Sequence, residues 1–166
     1  MSERAKKIFL FLCIVVPFLL YSAYYYAHMI KNAPYKFSEF DHIRFEYGVG
    51  DTLMNKYDSR TGDYQYLTKD DSLVKKHLHL TQNQLLFLHR KAAEQGFWDF
   101  PSNELNPAAD TIKGQRPPRY FIEFGYKRKT KTVRFDEAFD GNPKLKDANE
   151  QLIKYIQQVL DEAEGK

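Results

Sequence analysis

Residues 119–136 read Arg119-Tyr120-Phe121-Ile122-Glu123-Phe124-Gly125-Tyr126-Lys127-Arg128-Lys129-Thr130-Lys131-Thr132-Val133-Arg134-Phe135-Asp136. Tyr120, Ile122, Phe124 and Tyr126 alternate with Arg119, Phe121 and Glu123, the period-two pattern of a half-buried strand. Lys127-Arg128-Lys129-Thr130 turns the chain, and Lys131 to Asp136 returns with Val133 and Phe135 inward. Strands joined by so short a turn pair antiparallel. This hairpin sets the fold class, because its apolar face needs a second layer to cover it.

On the C-terminal side, Asp140-Gly141-Asn142-Pro143 opens a helix with Asn142 at the N-cap and Pro143 at the first helical position. Leu145, Ala148, Leu152, Ile156 and Val159 then make one apolar stripe, running to about Ala163. On the N-terminal side, Ser102 to Pro118 reads as a long polar loop with three prolines. Ahead of that loop, Thr81 and Gln84 form a capping box. The helix it opens runs to about Gln95, and Gly96 closes it. Leu85, Leu88 and Ala92 mark its buried stripe.

Four candidate strands precede that helix. They are the alternating segment around Ile43, Phe45 and Tyr47, then Thr52 to Asp58, Tyr64 to Leu67, and Leu73 to Leu80. In the second, Leu53 is the clearest apolar position. In the fourth, Val74, Leu78 and Leu80 share a face. Gly48-Val49-Gly50-Asp51, Ser59 to Asp63 and Lys69 to Ser72 supply the turns. The expected architecture is α+β: an antiparallel sheet of about six strands with two helices packed on one face, in the order ββββαββα.

Ile8 to Ile30 holds no Asp, Glu, Lys or Arg. At about 23 residues it can cross a hydrocarbon core as a helix. Membrane helices tolerate a proline such as Pro17. A signal peptidase would cut after Ala23, but Tyr21 occupies the position that needs a small residue. Tyr24, Tyr25 and Tyr26 suit an interfacial aromatic belt, so the segment reads as a retained anchor. Cys13 follows Leu12 inside the apolar run, which does not suit lipoprotein processing. The organisation is therefore a basic tail at 1–7, a transmembrane anchor at 8–30, a tether at 31–40 and an α+β domain at 41–166. Arg4, Lys6 and Lys7 crowd one end of the anchor, while Lys31, Lys36 and Arg44 are spread along the other. The denser cluster favours a cytoplasmic N-terminus and an extracytoplasmic domain.

The chain carries a net charge of +3. Arg4, Lys6 and Lys7 against Glu3 account for +2 of it, so the rest carries only +1. That balance lacks the strongly basic face a nucleic-acid binder uses. Cys13 is the only cysteine, so the domain has neither an internal disulfide nor a thiolate metal site.

Three features could carry chemistry. His77 and His79 share a strand face, and His89 on the next helix could complete a metal-binding or hydrolytic set. They lie opposite the apolar positions of their strand, beside Lys75 and Lys76, so a solvated face is the simpler reading and no metal is expected. Lys127, Arg128, Lys129 and Lys131 concentrate charge at a hairpin tip, where they could meet anionic lipid or an acidic protein. They could equally guard strand edges against pairing with other chains. Trp98 and Phe100, in Phe97-Trp98-Asp99-Phe100, could form a ligand box or plug the core. Asp70-Asp71 and Asp58-Ser59-Arg60 lie in turns and do not hold carboxylates across a cleft. Gly48-Val49-Gly50 leads into a strand, not a helix, so a dinucleotide site is excluded. No nucleophile elbow, zinc-protease helix or phosphate loop is present. The expectation is a membrane-anchored, non-catalytic binding or accessory component of an envelope complex, requiring no cofactor. The alternatives are a small hydrolase or metal enzyme using His77, His79 and His89, and an anionic-lipid binder using the Lys127–Lys131 tip.

Overall fold

The computed structural model describes residues 3–31, 35–106, 108 and 116–165, with the backbone only for 27–31. It divides into two compact units, Met1–Tyr35 and Lys36–Lys166. The first is a single helix, α1 (Glu3–Lys31), which contains Pro17. Its Glu3–Tyr26 portion is long and apolar enough to span a membrane by length and composition.

The second unit is α+β. A 3-10 turn (Phe37–Glu39) leads into four strands: β1 (Phe40–Val49), β2 (Thr52–Asp58), β3 (Asp63–Leu67) and β4 (Leu73–His77). Then come α2 (Gln82–Glu94), a second 3-10 turn (Phe97–Asp99), β5 (Asn103–Glu104), β6 (Pro118–Tyr126), β7 (Thr130–Asp136) and α3 (Pro143–Glu164). The seven strands form one sheet in the order β4-β3-β2-β1-β6-β7-β5. All neighbours are antiparallel except β5, which runs parallel to β7.

Two details differ from the sequence expectation. The segment read wholly as loop contains β5, a seventh strand too short to show alternation. The strand expected to reach Leu80 ends at His77. Gly62 explains the ending: its carbonyl still takes the Leu78 N–H at 2.8 Å, but its own N–H turns back to the Asp58 carbonyl at 2.8 Å, so the reciprocal bond that would extend the ladder is not made.

The helix signals act as read. The Thr81 hydroxyl accepts from the Gln84 N–H, and the Gln84 side chain accepts from the Thr81 N–H. The Asn142 side chain accepts from the Lys144 N–H, with Pro143 behind it. Gly96 has φ 74°, a left-handed conformation that glycine adopts without steric cost. Gly48 serves close approach instead. A Cβ there would lie 2.0 Å from the Thr52 carbonyl oxygen, and the β1–β2 register shifts beside it.

One face of the sheet presents Ile43, Phe45, Tyr57, Ile122, Phe124, Val133 and Phe135, all 0–1 % exposed. Residues of both helices meet this face. His89 of α2 bonds Tyr126, Glu164 of α3 accepts from Tyr66, and Asn149 of α3 bonds Glu104. The two helices also contact each other. The Leu85–Ala92 and Leu145–Val159 stripes supply the seam, with Leu88, Ala92, Leu152 and Ile156 buried in it.

Because this core is internal to the second unit, the fragment 36–166 should unfold cooperatively in urea without lipid. Leu152→Ala should lower its stability by about 3 kcal/mol, for lost burial and a residual cavity. Lys154→Ala, on the exposed side of α3, should change it by less than about 0.5 kcal/mol. A fragment with no cooperative transition would show that lipid or a partner completes the core.

Candidate functional site

The opposite face of the sheet carries the other half of each alternation, and among the described residues no helix lies on it. At its centre, β1, β6 and β7 set three rows of side chains. Gly48, Arg119 and Asp136 form the first, Glu46, Phe121 and Arg134 the second, and Arg44, Glu123 and Thr132 the third. Phe121 is the apolar middle of a charged square. Gly48 leaves one corner without a side chain. A cavity of about 400 Å³ opens there, with Leu53, Asp51 and Leu105 on its wall. That volume falls within the range of small-ligand sites.

The charges on this square are cross-linked. The Arg119 guanidinium donates from Nε to Asp136 Oδ2 at 3.3 Å and from Nη1 to Asp51 Oδ1 at 2.5 Å. Asp136 is fully buried, and its other oxygen accepts the Ala138 N–H at 3.1 Å. The Arg44 Nε donates to Glu46 Oε1 at 2.6 Å, and its guanidinium lies 5.5 Å from the centre of the Phe121 ring. Burial of Glu46 and Arg119 is tolerable only because each has a charged partner. Arg134 differs. It is exposed, and no described residue pairs with its guanidinium.

Beside the square, His42 lies between two acids. Its Nδ1 is 2.8 Å from Asp41 Oδ2, and its Nε2 is 3.0 Å from Glu123 Oε1. Arg60 Nη2 reaches both Asp41, at 3.0 Å, and the ring, 2.7 Å from Nδ1. The imidazole lies over Gly125, where a Cβ would come within 2.1 Å of Cε1. An isolated glycine inside a strand often marks such a close approach. That was the signal available for this cluster.

The histidines proposed as a set are not brought together as one site. The His77 and His79 rings touch edge-on, with centroids 4.3 Å apart, above Gly62. His89 is buried in α2, where its Nδ1 lies 2.8 Å from the Tyr126 hydroxyl. Phe37 and Trp98 rings flank it. Burial pushes its pKa down, and Arg90 adds to the effect. Among the described residues, no group of three or more His, Cys, Asp or Glu side chains could hold a metal ion.

The basic hairpin does not project its four charges as a unit, as the sequence suggested. Lys131 pairs with Phe124 in the ladder and therefore shares the helix-covered face, where its Nζ donates to the Phe100 carbonyl. Burial lowers its pKa against the opposing pull of Asp99 and Glu104. Arg128 is held by Glu39, through Nε at 3.0 Å and Nη2 at 2.5 Å. Lys127 and Lys129 remain at the tip, and the Lys127 N–H donates to the Glu39 carbonyl at 2.9 Å. Of the aromatic pair, Phe100 is buried against Phe97, so it offers no contact surface. Trp98 is half-buried on Phe124, Tyr126 and His89. The segment packs as a plug at the end of the core.

One buried polar pair was not anticipated. Glu104 of β5 accepts from the Asn149 Nδ2 at 2.6 Å. No described residue hydrogen-bonds the second Glu104 oxygen or the Asn149 Oδ1. Burial raises the Glu104 pKa to about 7, against smaller lowering effects from Asn149 and Lys131.

Compared with known proteins, the chain matches no family model and no curated protein sequence. The functional reading therefore rests on geometry.

Glu104 makes stability depend on pH. Its folded pKa lies above the ordinary carboxylate value, so the protonated form is the one the fold accommodates. The stability it contributes is full below pH 4.5 and is lost as pH rises through 7. The loss should approach about 3 kcal/mol. Glu104→Gln cannot ionise, so urea unfolding of this variant should be flatter than wild type between pH 4.5 and 7.5. Parallel profiles would show that Glu104 is ionised at little cost in the fold.

Proposed function

We propose that this chain is a single-pass membrane-anchored binding module that works without catalysis. Ile8–Ile30 holds the domain on the bilayer with the N-terminus cytoplasmic and the domain on the other side. The sheet face on which no described helix lies receives a protein partner within an envelope or membrane complex. The observation that carries this reading is the recessed cavity around Phe121. A solvated antiparallel face is ordinary. A concave site of this size with a buried charge lattice and an aromatic floor is the form of a binding site. The dispersal of His77, His79 and His89 supports binding over hydrolysis. The division of the basic hairpin between Glu39, the core and the tip supports a protein partner over a lipid surface.

A photo-crosslinking residue at Thr132, beside Phe121, should yield a discrete protein adduct in intact cells. The same residue at Phe87, exposed on α2, should yield none. Equal labelling from both positions, or none from Thr132, would overturn the reading. For orientation, alkaline phosphatase fused after residue 166 should be active when the protein is expressed in bacteria. An inactive phosphatase with a fluorescent cytoplasmic reporter at the same position would reverse the assigned topology.

A further inference from the structure

We propose that the cavity around Phe121 binds a single carboxylate attached to an apolar group, the chemistry of an acidic peptide segment with a neighbouring aromatic or aliphatic side chain. The inference rests on the binding-module reading and adds its ligand class. Charge bookkeeping at the cavity selects the group. Arg119 is committed to Asp136 and Asp51, and Arg44 to Glu46. Arg134 lines the same cavity with its guanidinium unpaired among the described residues. One open guanidinium presents a planar fork of N–H donors that matches one carboxylate in bidentate geometry.

The remaining wall decides between anions. Glu46 and Asp51 line the cavity as well. Their carboxylates repel a phosphate dianion more strongly than a monoanion, whose charge Arg134 can match alone. Phe121 lies directly beside Arg134 in the ladder, so a ligand held by Arg134 has its next atoms over the ring. Leu53 adds a second apolar contact across the corner that Gly48 leaves open. A carboxylate adjoining an apolar side chain fits that sequence of surfaces. A bare inorganic anion would leave the ring and Leu53 unused.

The test uses the full chain in phosphatidylcholine nanodiscs, observed by saturation-transfer NMR. The probes are N-acetylphenylalanine, its neutral amide and inorganic phosphate. The acid should bind in the millimolar range, as suits one ion pair and one ring contact. The amide should bind at least ~10-fold more weakly, and phosphate should not displace the acid. Arg134→Gln should weaken the acid by a similar factor without altering the melting temperature. Arg90→Gln makes the same charge change on the exposed part of α2 and should leave binding within about twofold. Equal binding of acid and amide, competition by phosphate, no binding of the acid, or equal effects of the two Arg variants would each overturn the proposal. A Thr132 adduct in cells together with any of these failures would leave the open-face reading standing and reject only the carboxylate. Carboxylate binding without a Thr132 adduct would do the reverse, marking a small-molecule site in place of a protein-docking face.

Discussion

The pairing of β1 with β6 holds the domain together. It runs in register from Tyr47 opposite Tyr120 to Ile43 opposite Phe124, and joins segments more than seventy residues apart in sequence. On one side of it lies a local meander, β1 to β4, and on the other the β6–β7 hairpin with β5. Neither part has a complete core. Ile43 and Phe45 from the first meet Ile122 and Phe124 from the second, and all four are fully buried. Closing so long a loop before gaining those contacts costs chain entropy and slows folding. The helices add cover once this central pair exists.

The two faces of that pair are stabilised differently. The helix side relies on apolar burial, worth about 25 cal/mol per Å² removed from water. The other side buries Glu46, Arg119 and Asp136 around Phe121, where each charge must keep its partner. Replacing one member of such a lattice leaves the other desolvated and unpaired, which costs more than the pair ever contributes. The sheet's edges are managed separately. β4 carries Lys75 and Lys76 along its rim, and β5 is only two residues long. Both features discourage pairing with another chain.

Much of this was legible because local chemistry and tertiary role coincide. The capping box at Thr81, the Asn142-Pro143 start, and the alternations of β1 and β6 all encode their structures within a few residues. The failures share a different cause. β5 is a strand only because β7 lies beside it, and two residues cannot show a period. Lys131 counts by sequence among the charges of the hairpin tip, yet the ladder aims it inward at the Phe100 carbonyl. Leu53 is the clearest apolar position of β2 in the sequence. Tyr57 is the buried one, while the register shift near Gly48 leaves Leu53 lining the opposite cavity. Glu104 and Asn149 are polar letters in polar or mixed contexts, and only long-range packing buries them. The same holds for the site. Arg119, Phe121 and Glu123 were read as one face, but their convergence with Arg44, Glu46 and Arg134 depends on pairings that no local pattern specifies.

The position of β1 within the sheet has a mechanical consequence. The segment that follows α1 enters the domain through the Phe37–Glu39 turn and passes directly into β1, which has β2 on one side and β6 on the other. In the membrane-anchored reading proposed above, a pull along the chain from α1 would run along a central strand. Its hydrogen bonds lie across the direction of load, so they resist in shear, many at once. An edge strand such as β4 would peel open one bond at a time. The Arg128–Glu39 ion pair and the Lys127 N–H to Glu39 carbonyl bond fasten the entry turn to the β6–β7 hairpin. Tension reaches them before it reaches β1. A domain wired this way resists tension applied through its N-terminal entry without first opening at an edge.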